Sequence, residues 1–293
     1  MIFQIGDIRI DRIEESCDIG GPPHGDFPDA VPEAVAPYMS WLQPHAVDPA
    51  TGGMIMPVQT YLVRTAHHTI LLDTCVGNHK SHPDNPGWNQ RTDYRLLEDL
   101  AAAGVGPGDI DFVMCSHLHL DHAGWNTQLT DGCWVPTFPN ARYLFCQEEL
   151  DFAEEEGRKG DSVYGESVQP VLEAGLGKVV AMDFGLDDNI WLEPTPGHTP
   201  GHVATHITDS GARAVMSGDL IHHPCQLPHP EWSPVYDWDP VMGAKTRRRF
   251  LESVADTDIM VMTQHFPAPS AGHVFSRGNG FGMRNHGCDM VYG

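Results

Sequence analysis

The chain has 293 residues, 41% hydrophobic and 19% charged, enough to bury a sizeable core and ordinary for a globular protein. Lys and Arg number 17 against 40 Asp and Glu, and the net charge of -23 disfavours a nucleic-acid partner, which would need a basic stripe to displace phosphate counterions. No apolar run approaches the ~20 residues that a bilayer requires, and "MIFQIGDIRIDRIEES" lacks the regions of a signal peptide, so no membrane partner and a cytoplasmic location are expected.

In chain order, a Pro-rich stretch at 21–57 comes first, longer than an ordinary connection and therefore a candidate lid or dimer segment. Strand-like runs follow at 60–65 ("TYLVRT") and 68–74 ("HTILLDT"). Residues 92–104 have helical apolar spacing and end at Gly104, a plausible C-cap. Strands are expected at 111–116 and 141–146, a helix at 146–157, and strand pairs from about 190 to 221. A second Pro-rich loop, 222–240, is another candidate lid or dimer segment. A helix at 239–255 carries the basic run Lys245 to Arg249, which reads as a solvated polar face, and a strand follows at 258–263. The Gly-rich end reads as a tail, with "GNGFGM" a weak match to a phosphate loop. This order implies an α/β protein with helix-covered sheets, a single domain over 1–293. The 7 Cys are scattered and never spaced C-x-x-C, which argues against a disulfide framework or a zinc ribbon.

The chemistry concentrates in "SHLHLDH" at 116–122, at the end of the strand "DFVMC". On an extended segment, His117, His119 and Asp121 project to one side while His122 turns elsewhere. Imidazoles and a carboxylate at this density suit a divalent ion of zinc type. Three later runs each end in one more metal-capable residue: His198 in "EPTPGHTPGH", Asp219 in "AVMSGDLI" and His265 in "DIMVMTQHFP". Trp125 and Phe266, next to or near these residues, are candidates to line an apolar substrate pocket. His222 and His223 follow the Asp219 strand, and His223 is a candidate for substrate contact.

Together "LLDTCVG" (71–77), "SHLHLDHAG" (116–124), "PTPGHTPGH" (194–202), "SGDL" (217–220) and "QHFP" (264–267) resemble the metallo-β-lactamase superfamily, specifically its dinuclear-zinc hydrolases. The resemblance implies a four-layer αβ/βα sandwich with two zinc ions per chain, Mn, Co or Fe being alternatives. It implies His117, His119 and His198 on one metal, Asp121, His122 and His265 on the other, and Asp219 bridging them. Asp73 would support the ligands by hydrogen bonds, and Cys75 would be a buried thiol rather than a ligand. His119 replaces the glutamate of flavodiiron relatives, and Asp219 replaces the cysteine of the main β-lactamases.

The nearest likeness is to methyl-parathion-hydrolase-like enzymes and N-acyl-homoserine lactonases. This implies a hydroxide bridging the metals that attacks a small apolar ester or lactone, with Asp121 orienting it and shuttling its proton. The alternatives are a phosphotriester hydrolase, a glyoxalase-II-like thioesterase, and a catalytically silent metal-binding protein. A homodimer is expected.

Overall fold

A computed structural model describes residues 1–293. They form two compact units, residues 1–16 with 58–184, and residues 17–57 with 185–293. No helix is long and apolar enough to cross a membrane.

The first unit is organised on a sheet of β1 (Ile2–Ile5), β2 (Ile8–Ile19), β3 (Ile55–Arg64), β4 (Thr69–Leu72), β5 (Phe112–Met114), β8 (Arg142–Cys146) and β9 (Gly177–Val180), in that order. A separate hairpin of β6 (Thr127–Thr130) and β7 (Cys133–Pro136) lies outside it. From β4 to β9 the neighbours run parallel, and helix α1 (Arg95–Ala102) lies in the crossover from β4 to β5. Its Leu96 and Leu100, four residues apart, share one face and are buried with Leu71, Val113 and Tyr143. Helix α2 (Gln147–Lys159) has Glu148 and Glu149 in its first turn and Arg158 and Lys159 in its last, each charge suiting the macrodipole. It stops at Gly160, whose φ of 112° a side chain would disfavour.

The second unit holds the strands β10 (Ile190–Pro194), β11 (Val203–Asp209), β12 (Ala212–Met216), β13 (Met260–Met262), β14 (Ala271–Arg277), β15 (Gly280–Asn285) and β16 (Val291–Tyr292). Only β12 and β13 pair in parallel, and helix α3 (Pro240–Val254) lies in the crossover between them. Asp239 caps α3 by accepting from the N–H groups of Val241 (3.1 Å) and Met242 (2.9 Å), and Pro240 follows at the position where a missing N–H costs nothing. The Pro-rich segment 21–57 packs into this unit's core through Phe27, Val35, Leu42, Val47 and Met54.

Two expectations are corrected. The C-terminal stretch is no tail: β14 and β15 pair along six residues each through a turn at Gly278, and β16 adds an edge. Its glycines serve close packing, since a Cβ at Gly280 would meet the Pro228 carbonyl oxygen at 2.3 Å. The basic run of α3 is not wholly solvated either, because Arg247 is buried.

Candidate metal centre

In the first unit, parallel pairing sets the geometry. Leu72 on β4 pairs with Met114 on β5, so the chain leaves both strands side by side at their C-terminal ends, where sites of open parallel sheets usually lie. There Asp73, in the left-handed region at φ 63°, accepts from the Ser116 N–H (2.6 Å) and hydroxyl (3.0 Å). It also accepts from His122 Nδ1–H at 2.9 Å. The Ser116 hydroxyl, having donated to Asp73, accepts from His117 Nδ1–H at 3.0 Å. An ionised carboxylate only accepts, so these bonds place the protons of His117 and His122 on Nδ1 and leave each Nε2 unprotonated. His119 packs edge-on against His117 with ring centres 4.5 Å apart, and the rings of His117 and His122 are 4.1 Å apart. Asp121 lies 3.6 Å from His122 Nε2 and is the more exposed of the two.

The segment carrying Asp121 and His122 is clamped to the loop after β4. Thr74 N–H donates to the His122 carbonyl (2.7 Å), Gly124 N–H to Cys75 (2.7 Å) and Trp125 N–H to Thr74 (2.9 Å). Buried Glu15 accepts from the N–H groups of Val76 (2.9 Å) and Gly77 (3.3 Å) and from Trp125 Nε1–H (2.6 Å). Burial pushes its carboxyl up, and the three donors and Arg91 oppose the shift.

In the second unit the same logic recurs. Met216 on β12 pairs with Met262 on β13, and Asp219 and His265 each follow three residues later. Asp219 Oδ1 lies 3.0 Å from His265 Nε2, and Oδ2 lies 3.5 Å from His198 Nε2 and 3.1 Å from His222 Nε2. The far nitrogens are again tied back: His198 Nδ1–H donates to Asp237 (2.9 Å) and His265 Nδ1–H to the Pro57 carbonyl (2.9 Å). His198, Asp219 and His222 thus form a buried donor group with ligand atoms within 4.8 Å of one another. His202 takes no such place. Its Nε2 accepts from the Asp219 N–H (3.0 Å), and its Nδ1–H donates to the Thr195 hydroxyl (2.8 Å), which fixes the Asp219 turn.

Of the seven ligands expected from sequence, four lie in the first unit's cluster and three in the second's. Sequence reading left out His222 as a donor and Asp237 altogether. Position three after Asp219 could have suggested the first; nothing local marked the second. The three residues expected to meet substrate are all buried. His223 is buried with Nε2–H on the Ala46 carbonyl (2.8 Å) and Nδ1 accepting from Cys225, and burial pushes its imidazole down to about 4. Trp125 is wholly buried on Glu15, and Phe266 is wholly buried edge-on to Tyr292. None of the three offers a free surface. Cys75 is buried and, by that burial, held well above the usual thiol range.

The profile of the metallo-beta-lactamase superfamily matches residues 54–265. Among curated relatives, an N-acyl homoserine lactonase of a Bacillus species is 29% identical over 173 residues, covering 55% of this chain and 62% of that protein. One from Bacillus thuringiensis is 26% identical over 225 residues, covering 72% and 81%. Among solved structures, the dizinc quorum-quenching lactonase AidC superposes with TM-score 0.77 at 24% identity over 98% of this chain and 97% of that one. The hydrolase AbOPH gives 0.79 at 22% over 96% and 94%. The architecture is therefore the α/β fold expected from the motifs, and the chain belongs to the metallo-beta-lactamase superfamily.

Proposed function

We propose that this protein is a metal-dependent hydrolase of a small, fairly apolar ester, with a lactone as the preferred form. In this reading His117, His119 and His198 would hold one divalent ion, Asp121, His122 and His265 would hold a second, and Asp219 would serve both. One observation carries it: His117, His122, His198 and His265 each have Nδ1 tied to a fixed acceptor, and in His122, His198 and His265 Nε2 faces a carboxylate. That is the arrangement by which proteins orient metal-binding histidines. A donor set of imidazole and carboxylate without thiolate fits zinc, and also Mn, Co or Fe. The curated relatives include N-acyl homoserine lactonases, which favours a lactone among the esters.

When bound, two such ions would supply a water acidified toward neutral pH and an electrophile for the carbonyl oxygen. The chain's own residues do the rest. Asp73 and Asp237 keep His122 and His198 in one tautomer, and Ser116 does so for His117. Asp121 takes the proton released from the attacking water onto its carboxylate and passes it to the leaving alkoxide. The substrate remains free of covalent attachment to any side chain.

Metal analysis should find close to two ions per chain, and Asp219→Ala should lower both metal content and lactone turnover. Comparing a lactone, an aryl ester and an organophosphate should show the lactone hydrolysed fastest. A protein that holds at most one ion, and in which Asp219→Ala is harmless, would overturn the dinuclear reading.

A further inference from the structure

We propose that Arg247 and Asp237 form a positioning relay that fixes His198 as a metal ligand and holds the Asp219 turn in register with it. The proposal rests on the reading above, in which His198 and Asp219 bind metal.

Arg247 is buried on α3, and four of its five guanidinium N–H groups donate hydrogen bonds. Nε–H donates to the Leu220 carbonyl (2.6 Å), Nη1–H to those of Pro230 (2.9 Å) and Trp232 (3.1 Å), and Nη2–H to Asp237 Oδ2 (3.3 Å). The other oxygen of Asp237 accepts from His198 Nδ1–H at 2.9 Å. One side chain therefore reaches both the residue after Asp219 and the carboxylate behind His198. A planar fork can do this; the point charge of a lysine cannot serve both at once.

A buried ion pair is a poor way to gain stability, since apolar side chains of similar volume often do as well or better. Its geometric consequence is the better explanation here. The backbone supports the same coupling. Trp238 N–H donates to the His198 carbonyl (2.9 Å) and Asp239 N–H to that of Gly197 (2.9 Å). Gly197 sits at φ 139°, so close to α3 that a Cβ there would meet Gly243 Cα at 2.3 Å. The His198 loop is thus seated on the start of α3, and Asp237 aims the imidazole from that seat.

The test uses the whole chain, with zinc affinity read by competition against a chromophoric chelator. The tautomer of His198 is read by nitrogen NMR of the metal-free protein. Asp237→Asn, which keeps the shape and removes the charge, should weaken zinc binding by about 10–100-fold and shift His198 away from the pure Nδ1–H form. Arg247→Lys should move both readouts the same way, and the double variant should be no worse than the weaker single, because both act through one imidazole. His198→Ala separates the two levels of the argument. If it weakens binding while Asp237→Asn binds like wild type, the relay is wrong and the metal reading stands. If His198→Ala also binds like wild type, the metal reading fails. Should Arg247→Lys not fold, Asp237→Asn carries both readouts alone. Variants that lose thermal stability but keep wild-type zinc affinity and tautomer would mark a purely structural pair and overturn the proposal.

Discussion

Gly124→Ala sets two effects of known size against each other. The residue has φ -61° and ψ -51°, helical values that alanine prefers, so local propensity alone favours the substitution by about 1 kcal/mol. Packing opposes it. A Cβ at Gly124 would lie 1.8 Å from the Val76 carbonyl oxygen and 2.6 Å from that of Cys75, so backbone must retreat by more than an ångström. That backbone is held by Gly124 N–H on Cys75, Trp125 N–H on Thr74 and Glu15 on Val76. Overpacking costs about 1–3 kcal/mol, and losing two of these hydrogen bonds adds about 1 kcal/mol each. The net destabilisation is about 2–4 kcal/mol, or a fall in Tm of roughly 10 °C. Thermal unfolding of the metal-free protein followed by circular dichroism measures it, with Gly165→Ala as control because a Cβ there meets nothing within 4 Å. Since Thr74 also holds the His122 carbonyl, Gly124→Ala should weaken zinc binding as well. A Tm within about 2 °C of wild type would refute the claim that this glycine is required by contact with the loop after β4.

Lys80 is buried on the Thr127 hydroxyl (2.7 Å) and the Glu166 carbonyl (3.0 Å), with its ammonium 3.6 Å from the centre of a Trp134 ring. Burial pushes it down to about 7, so between that pH and the ordinary lysine value the unfolded chain binds more protons and stability rises with pH. Urea unfolding should show wild type gaining about 3 kcal/mol on Lys80→Met between roughly pH 7 and 10, and a constant difference would contradict the depressed value. Zinc added to the metal-free protein at about 100 times its Kd should stabilise it by about 2.7 kcal/mol; an unchanged Tm would speak against a site formed by folding. Glu15→Gln should leave the fold intact but loosen the loop after β4, read as faster amide exchange at Val76 and Gly77. Protection equal to wild type would remove Glu15 from that role.

Much of the local structure was legible in the sequence because periodicity and end signals are local. The run "HTILLDT" became β4, "TDYRLLEDLAAAG" contained α1, and Asp239-Pro240 marked the start of α3 as caps do. The C-terminal hairpin was missed because its glycines look like tail composition. Only their partners, such as Pro228 against Gly280, show that small size is required there.

The donor types were also legible. "SHLHLDH", the later His198, Asp219 and His265, and Asp73 in "LLDT" carry their chemistry in their identity and in their place after strand-like runs. Tertiary structure decided which nitrogen of each imidazole is tied and which is offered, because that depends on partners far along the chain: Asp73 for His122, Asp237 for His198, and Pro57 for His265. It also decided that Arg247, one of three adjacent arginines, turns inward while its neighbours do not. A sequence states which groups can bind or donate. Burial and hydrogen bonding, which are properties of the packed chain, decide which of them are free to do so.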